Sequence, residues 1–234
     1  MPTDVTPRIL RPADFAAEAA RFILDEIRGA IAARGFCRLA LSGGKTPRAV
    51  NAELVQQAGD LPWERVQITF GDERCVPPDD AESNYRTARE TLLDAVGIPT
   101  GNVFRIRGEI SPGDAARDYE AHLAAVAMRL GEARYVHDLI LLGLGEDGHT
   151  ASLFPGSPAL DEAARNVIPA TGPKPPPQRV TMTFPLINAA RHVAFLVEGA
   201  AKFPLVEEIT AGGSTLPAAR VQPASGALTW IVGK

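Results

Sequence analysis

Three apolar runs in this chain end in the same way. "FCRLAL" (36–41) passes into Ser-Gly-Gly, "RVQITF" (65–70) into Gly-Asp-Glu, and "YVHDLILL" (135–142) into Gly-Leu-Gly. The unbroken apolar residues 139–142 of the third run suit a parallel strand covered on both faces. A glycine straight after it lets the backbone turn sharply and approach another molecule closely. Segments with helical period lie between the runs. Phe15, Ala19, Phe22, Ile23, Ile27 and Ile31 share one face of a helix over 14–34 that ends near Gly35. Thr46 and Pro47 fit the N-cap and first turn of a helix over 47–58, and Ser83 fits the cap of one over 84–96. Ser111, Pro112 and Asp114 open another, with Tyr119, Leu123, Val126 and Leu130 at helical spacing. "RVTMTF", "HVAFLVEG" and "ALTWIV" read as further strands, with a helix near 202–211 between the last two. The alternation predicts a doubly wound α/β fold, a mostly parallel sheet with helices on both faces. Ligands of such sheets sit beyond the carboxyl ends of the strands, where the glycine-to-polar transitions fall here.

Composition narrows the function without naming it. The chain has 234 residues and a formal net charge of −4, which excludes a general nucleic-acid binder but not a protein that takes a small anion. No apolar run approaches the roughly 20 residues that span a bilayer, and "MPTDVTPRILRPADF" lacks the basic and apolar regions of a signal peptide. Cys37 and Cys75 form no C-x-x-C pair, so a reduced, cytoplasmic protein without a thiolate metal site is expected. The proline-punctuated "TGPKPPPQR" (171–179) reads as a loop and not a linker, which leaves residues 1–234 as one domain.

The chemistry-bearing residues cluster at the strand ends. In "LSGGKTP" (41–47) the glycines, the hydroxyls of Ser42 and Thr46, and the N-terminus of the next helix make either a phosphate cradle or a plain tight turn. The motif is neither a nucleotide P-loop nor a dinucleotide fingerprint. Asp72, Glu73 and Arg74 stand at the second strand end; on their own they read as a solvated charge cluster, though an arginine there can grip a phosphate. Cys75 has no histidine near it in sequence and is discounted as a nucleophile. In "GLGEDGHTASLFPG" (143–156) His149 suits a general base at neutral pH, with Asp147 close enough to orient it. His122, His137 and His192 read as structural or surface residues, and no histidine pairing suggests a metal. Arg179 and Lys202 each lie near a strand end and can reach the same mouth.

Taken together, "LALSGGKTP", "ITFGDERCVPPDDAESNYR", "LILLGLGEDGHTASLFPG" and "RVTMTFPLINAARHVAFLVEGAAK" resemble the 6-phosphogluconolactonase family, part of a superfamily that includes glucosamine-6-phosphate deaminase. The resemblance implies a Rossmann-like fold and hydrolysis of 6-phospho-D-glucono-1,5-lactone in the oxidative pentose phosphate pathway. It implies His149 as catalytic base, with Asp72 or Asp147 as its acidic partner. It implies a substrate phosphate held around Ser42, Gly43, Gly44 and Thr46, with Arg74, Arg179 and Lys202 closing on it. No cofactor and no metal is implied, and the partner is a small sugar phosphate, bound by a monomer or small homo-oligomer. The deaminase branch carries an extra carboxylate after its histidine motif, where this chain reads "ASLFPG". A third class, a sugar-phosphate sensor without turnover, would usually carry a DNA-binding helix-turn-helix, and the N-terminal residues have room for one helix only.

Overall fold

The computed structural model describes residues 6–234; residues 1–5, the start of the stretch read above for targeting features, lie outside them. In chain order the elements are β1 (Arg8–Leu10), α1 (Phe15–Arg34), β2 (Cys37–Leu41), α2 (Thr46–Gln57), β3 (Val66–Phe70), β4 (Asp72–Arg74), α3 (Asn84–Ala88) and α4 (Asp94–Val96). There follow α5 (Pro112–Arg129), β5 (Leu139–Leu142), β6 (Val167–Thr171), β7 (Gln178–Met182), α6 (Phe184–Ile187), β8 (His192–Glu198), α7 (Phe203–Ala211) and β9 (Ala227–Gly233).

Six strands form one sheet in the order β1-β9-β8-β5-β2-β3, every neighbouring pair parallel. Every residue of β2 and β5 is buried, as their apolar runs require. Phe195 and Trp230, cross-strand partners on β8 and β9, stack with centroids 3.9 Å apart. The helix expected over 14–34 is α1: the Asp14 carboxylate accepts from the Ala17 N–H, and Gly35 closes the helix at φ +83°, where a side chain would strain the backbone. Its buried stripe includes Phe15, Ala19, Ile23 and Ile27, while Phe22 and Ile31 lie half-buried at the edge. Each such Ile contributes roughly 2 kcal/mol by leaving water. Strand order reverses between β2 and β5: the chain leaves β2 for β3 on one side and returns to β5 on the other. A crevice at the carboxyl ends of β2 and β5 is therefore the expected place for a ligand.

Several expectations change in detail. The helix over 84–96 is α3 and α4 joined by a π-helical turn at Arg89–Leu93, with the Ser83 hydroxyl capping it by accepting from the Arg86 N–H. Helix α2 begins at Thr46 and not after it; Lys45 stands at the cap position, and no side chain bonds to the first turn. "RVTMTF" does not join the main sheet. Its first four residues lie in β7, which pairs antiparallel with β4 and β6 in a separate three-stranded sheet covered by α5. Gly71 makes the departure: its N–H donates to the Leu41 carbonyl at 3.0 Å, while its own carbonyl accepts from Met182 at 2.8 Å. One residue thus ties both sheets together. Pro169 is tolerated in β6 because that strand is an edge.

Candidate active site

The turn after β2 supplies one wall. The N–H groups of Gly43, Gly44, Lys45 and Thr46 have no hydrogen-bond partner among the described residues, and the Ser42 hydroxyl is buried without one. Gly44 sits at φ +104°, which exposes its amide without strain. Unsatisfied donors at a helix start, with its positive dipole end, have the chemistry to take an anion. The missing side-chain cap is what leaves them open.

The turn after β5 supplies the facing wall. The Gly145 N–H donates to the His149 carbonyl at 2.9 Å, and Gly148 donates to the Gly145 carbonyl at 3.0 Å, closing a tight loop. Inside it the Asp147 carboxylate is hydrogen-bonded to His149 Nδ1 and also accepts from the His149 backbone N–H at 3.2 Å. Burial pushes the Asp147 carboxyl up, but the His149 ring, backbone N–H and charge outweigh it and hold the group below its ordinary value. The His149 ring is packed against Phe154, with centroids 4.5 Å apart. With Nδ1 turned to Asp147, Nε2 is the nitrogen left to handle a proton. The bonds made by Gly145, Gly148 and His149 remove three loop N–H groups as oxyanion donors. Ala151, two residues on, is held at φ +48°, a strained non-glycine position bordering the site.

Asp72 does not touch His149 through a hydrogen bond. Its carboxylate accepts from the Ser152 hydroxyl at 2.7 Å and from Asn84 Nδ2 at 3.2 Å, and Asn84 also donates to its carbonyl at 2.9 Å. Asp72 thereby fixes the histidine loop and α3 to the end of β3. Glu73 is no solvated charge either. It is 2% exposed and accepts from the N–H groups of Arg74, Asn84 and Tyr85 and from the Ser83 hydroxyl, so it anchors the start of α3. Burial raises its carboxyl above the usual range, with those backbone bonds pulling the other way. The solvated-cluster expectation fails for Asp72 and Glu73 because β4 takes them into a sheet, away from water, while Arg74 stays partly exposed against Glu82.

Arg74 and Arg179 face each other across β4 and β7. Like charges directly opposite in a sheet repel, and burial followed by the Arg74 charge lowers the Arg179 guanidinium. Arg179 Nε donates to the Pro176 carbonyl at 2.9 Å and Nη2 to Lys174 at 3.5 Å, so the proline loop aims it. Arg74 Nη1 reaches the Glu82 carbonyl at 2.8 Å and carboxylate at 3.2 Å, while its buried Nε has no partner.

All ten residues singled out in the sequence line one cleft of about 530 Å³: Ser42, Gly43, Gly44, Thr46, Asp72, Arg74, Asp147, His149, Arg179 and Lys202. A wider hollow of about 1010 Å³ adjoins it and shares Asp147, Phe154 and Pro173, but its one cation, Arg165, is ion-paired with Glu162. Asn84 and Ser152 lie inside the quoted motifs but had no role read for them, because their part is set by contacts to Asp72 across the fold. The remaining histidines are structural: His122 packs on Phe104, His192 bonds Thr229 and Glu26, and buried His137 bonds Thr69 at 2.9 Å. Burial raises the Cys75 thiol, and Glu73 raises it further, which leaves it a poor nucleophile.

Residues 11–230 match the model of the family described as glucosamine-6-phosphate isomerases/6-phosphogluconolactonase. A 6-phosphogluconolactonase of Synechocystis is 43% identical over 214 residues, covering 90% of this chain and 87% of that protein. One of Rattus norvegicus is 43% identical over 204 residues, covering 85% and 79%. The crystal structure of 6-phosphogluconolactonase from Thermotoga maritima superposes with a TM-score of 0.85 at 29% identity, covering 97% of this chain and 100% of that one. That from Trypanosoma brucei gives 0.84 at 31% identity, covering 99% and 97%. An α/β chain with an acid–histidine turn facing an open helix N-terminus, matched over nearly its whole length, thus belongs to the family of glucosamine-6-phosphate isomerases and 6-phosphogluconolactonases.

Proposed function

We propose that this chain hydrolyses 6-phospho-D-glucono-1,5-lactone to 6-phospho-D-gluconate, in the oxidative pentose phosphate pathway, with His149 as general base. The observation that carries the reading is the convergence in one cleft of a histidine oriented by a carboxylate and a cationic wall with free N–H groups. The relatives named 6-phosphogluconolactonases support the substrate. In this reading Ser42, Gly43, Gly44 and Thr46, with Arg74, Arg179 and Lys202, take the phosphate. That grip sets the lactone carbonyl against the His149–Asp147 pair, so binding energy far from the reacting carbon supports rate.

The step balances without a cofactor. His149 Nε2 takes a proton from water as the oxygen attacks the lactone carbon. The tetrahedral adduct collapses by breaking the bond to the ring oxygen, and the imidazolium returns the proton to that oxygen. The acid released ionises in solution. Asp147, held ionised, supports the imidazolium while it exists. Asp72 keeps the loop carrying His149 in register through Ser152. We also read the chain as one domain, a monomer or small homo-oligomer acting in the cytoplasm with Cys37 and Cys75 as free thiols.

Two assays run side by side test the substrate. Acid release from freshly made 6-phosphogluconolactone should exceed its spontaneous hydrolysis, and glucosamine 6-phosphate should yield no ammonia. Ammonia without acid release would move the chain to the isomerase branch. Silence in both, with tight binding of either phosphosugar, would make it a sensor.

A further inference from the structure

The chain has four lysines, Lys45, Lys174, Lys202 and Lys234, and otherwise uses arginine. Three of the four line the one cleft. Arginines elsewhere are largely tied to carboxylates, whereas no lysine has a carboxylate within ion-pair distance among the described residues. Lys202 is half-buried, but Lys45 and Lys174 are exposed, one at the start of α2 and one on the proline loop opposite. With Arg74 and Arg179 the cleft holds five cations against the carboxylates of Asp72, Glu146 and Asp147. By formal charge, with histidine left out of both counts, it is therefore positive by two in a molecule whose net charge is −4.

Lysine is a compact, strongly hydrated charge on a flexible stem, whereas arginine is a rigid fork suited to fixed bidentate bonds. An exposed lysine without a partner is poorly suited to gripping a ligand, yet its field reaches into solvent over about a Debye length, roughly 8 Å at physiological salt. A cleft of one sign with low-dielectric walls concentrates such a field. We propose that Lys45 and Lys174 form an electrostatic capture rim, which draws doubly charged phosphorylated ligands into the cleft and hands them to the fixed donors below. The inference rests on the phosphate-binding reading of the cleft. A phosphate monoester carries about −1.5 to −2 at neutral pH, so unphosphorylated sugar lactones gain almost nothing from the rim.

The test is Lys45→Met, Lys174→Met and the double variant, exposed positions where folding is not at stake. For 6-phosphogluconolactone the double variant should lower kcat/KM about tenfold at low salt and less than twofold near 0.5 M NaCl, with kcat unchanged, as screened attraction requires. Unphosphorylated gluconolactone should show no difference. In parallel, calorimetric titration of 6-phosphogluconate should show a shallower salt dependence of Kd in the double variant. Equal losses at all salt concentrations, or loss of kcat, would mean these lysines grip the substrate and would overturn the rim. Unchanged salt slopes would overturn it too. If wild type turns over neither lactone yet the titration slopes differ as expected, the lactonase reading falls while the rim stands.

Discussion

Gly145→Ala isolates the acid–histidine pair from the rest of the fold. A Cβ built on Gly145 would lie 2.0 Å from His149 Nδ1, 2.2 Å from His149 Cε1 and 2.8 Å from Asp147 Oδ1. Ordinary contact needs about 3.4 Å or more, so the ring must retreat by over an ångström. The backbone has no objection, because Gly145 is not among the positive-φ glycines and its hydrogen bond to the His149 carbonyl survives. Alanine there even reduces the freedom of the unfolded chain, a gain of about 0.4–1 kcal/mol that offsets part of the local crowding. Stability should therefore shift by no more than about 1 kcal/mol. A misplacement of an ångström at a reacting centre costs about 10²-fold, and complete loss of a general base about 10²–10⁴-fold. We expect kcat for 6-phosphogluconolactone to fall by about 10²–10³-fold, measured by continuous acid release. Gly101→Ala, where nothing lies within 4 Å, serves as the control and should behave as wild type. A folded Gly145→Ala protein with wild-type kcat would refute the argument that this pair, in this arrangement, does the chemistry.

Three further outcomes follow from other parts of the structure. Arg179→Ala should mainly raise KM and remove the preference for phosphorylated over unphosphorylated lactone, because charge-assisted bonds to the phosphate are lost; Lys202→Ala should do the same. An unaltered preference in both would place the phosphate elsewhere. Burial, and then the Arg38 charge, push the His137 imidazole down to about 3 from 6.5, so the folded protein refuses a proton that the unfolded chain accepts. The stability this contributes is present above pH 6.5 and is lost as pH falls towards 3, by roughly 2–3 kcal/mol at pH 4.5. Urea midpoints at pH 7 and 4.5 read it, and a His137→Gln protein with the same pH slope would assign the loss to other groups. Asn84→Ala removes two bonds to Asp72 and should lower kcat while leaving the α3 anchor at Glu73 in place, as near-native circular dichroism would report.

Much of this site was legible in the sequence because parallel strands leave a plain signature. The runs that became β2 and β5 are buried throughout, and β3 in all but Gln67, so their stretches are dominated by apolar residues and the glycines after them stand out. Those glycines fall at the switch point, and the residues beside them converge on one cleft. The small antiparallel sheet was not legible. Three charged residues cannot display a period of two in β4, and Pro169 argues locally against β6; cross-strand pairing to β7 overrides both. Nor could spacing decide which acid meets His149. Asp147 is two residues away and Asp72 seventy-seven, yet both reach the cleft, and only the loop closed by Gly145 and Gly148 turns Asp147 onto Nδ1. The partners of Asp72 lie 12 and 80 residues away, beyond any local pattern.

If His149 is the base of a lactone hydrolysis, acid release from 6-phosphogluconolactone depends on its imidazole. Wild type and His149→Ala are compared at equal concentration, above the uncatalysed rate. The side chain packs on Phe154 but is only partly buried, so the variant should fold. We expect rapid release by wild type and a kcat about 10²–10⁴-fold lower in the variant, with 6-phosphogluconate still bound. A folded His149→Ala protein that releases acid at the wild-type rate would contradict that role.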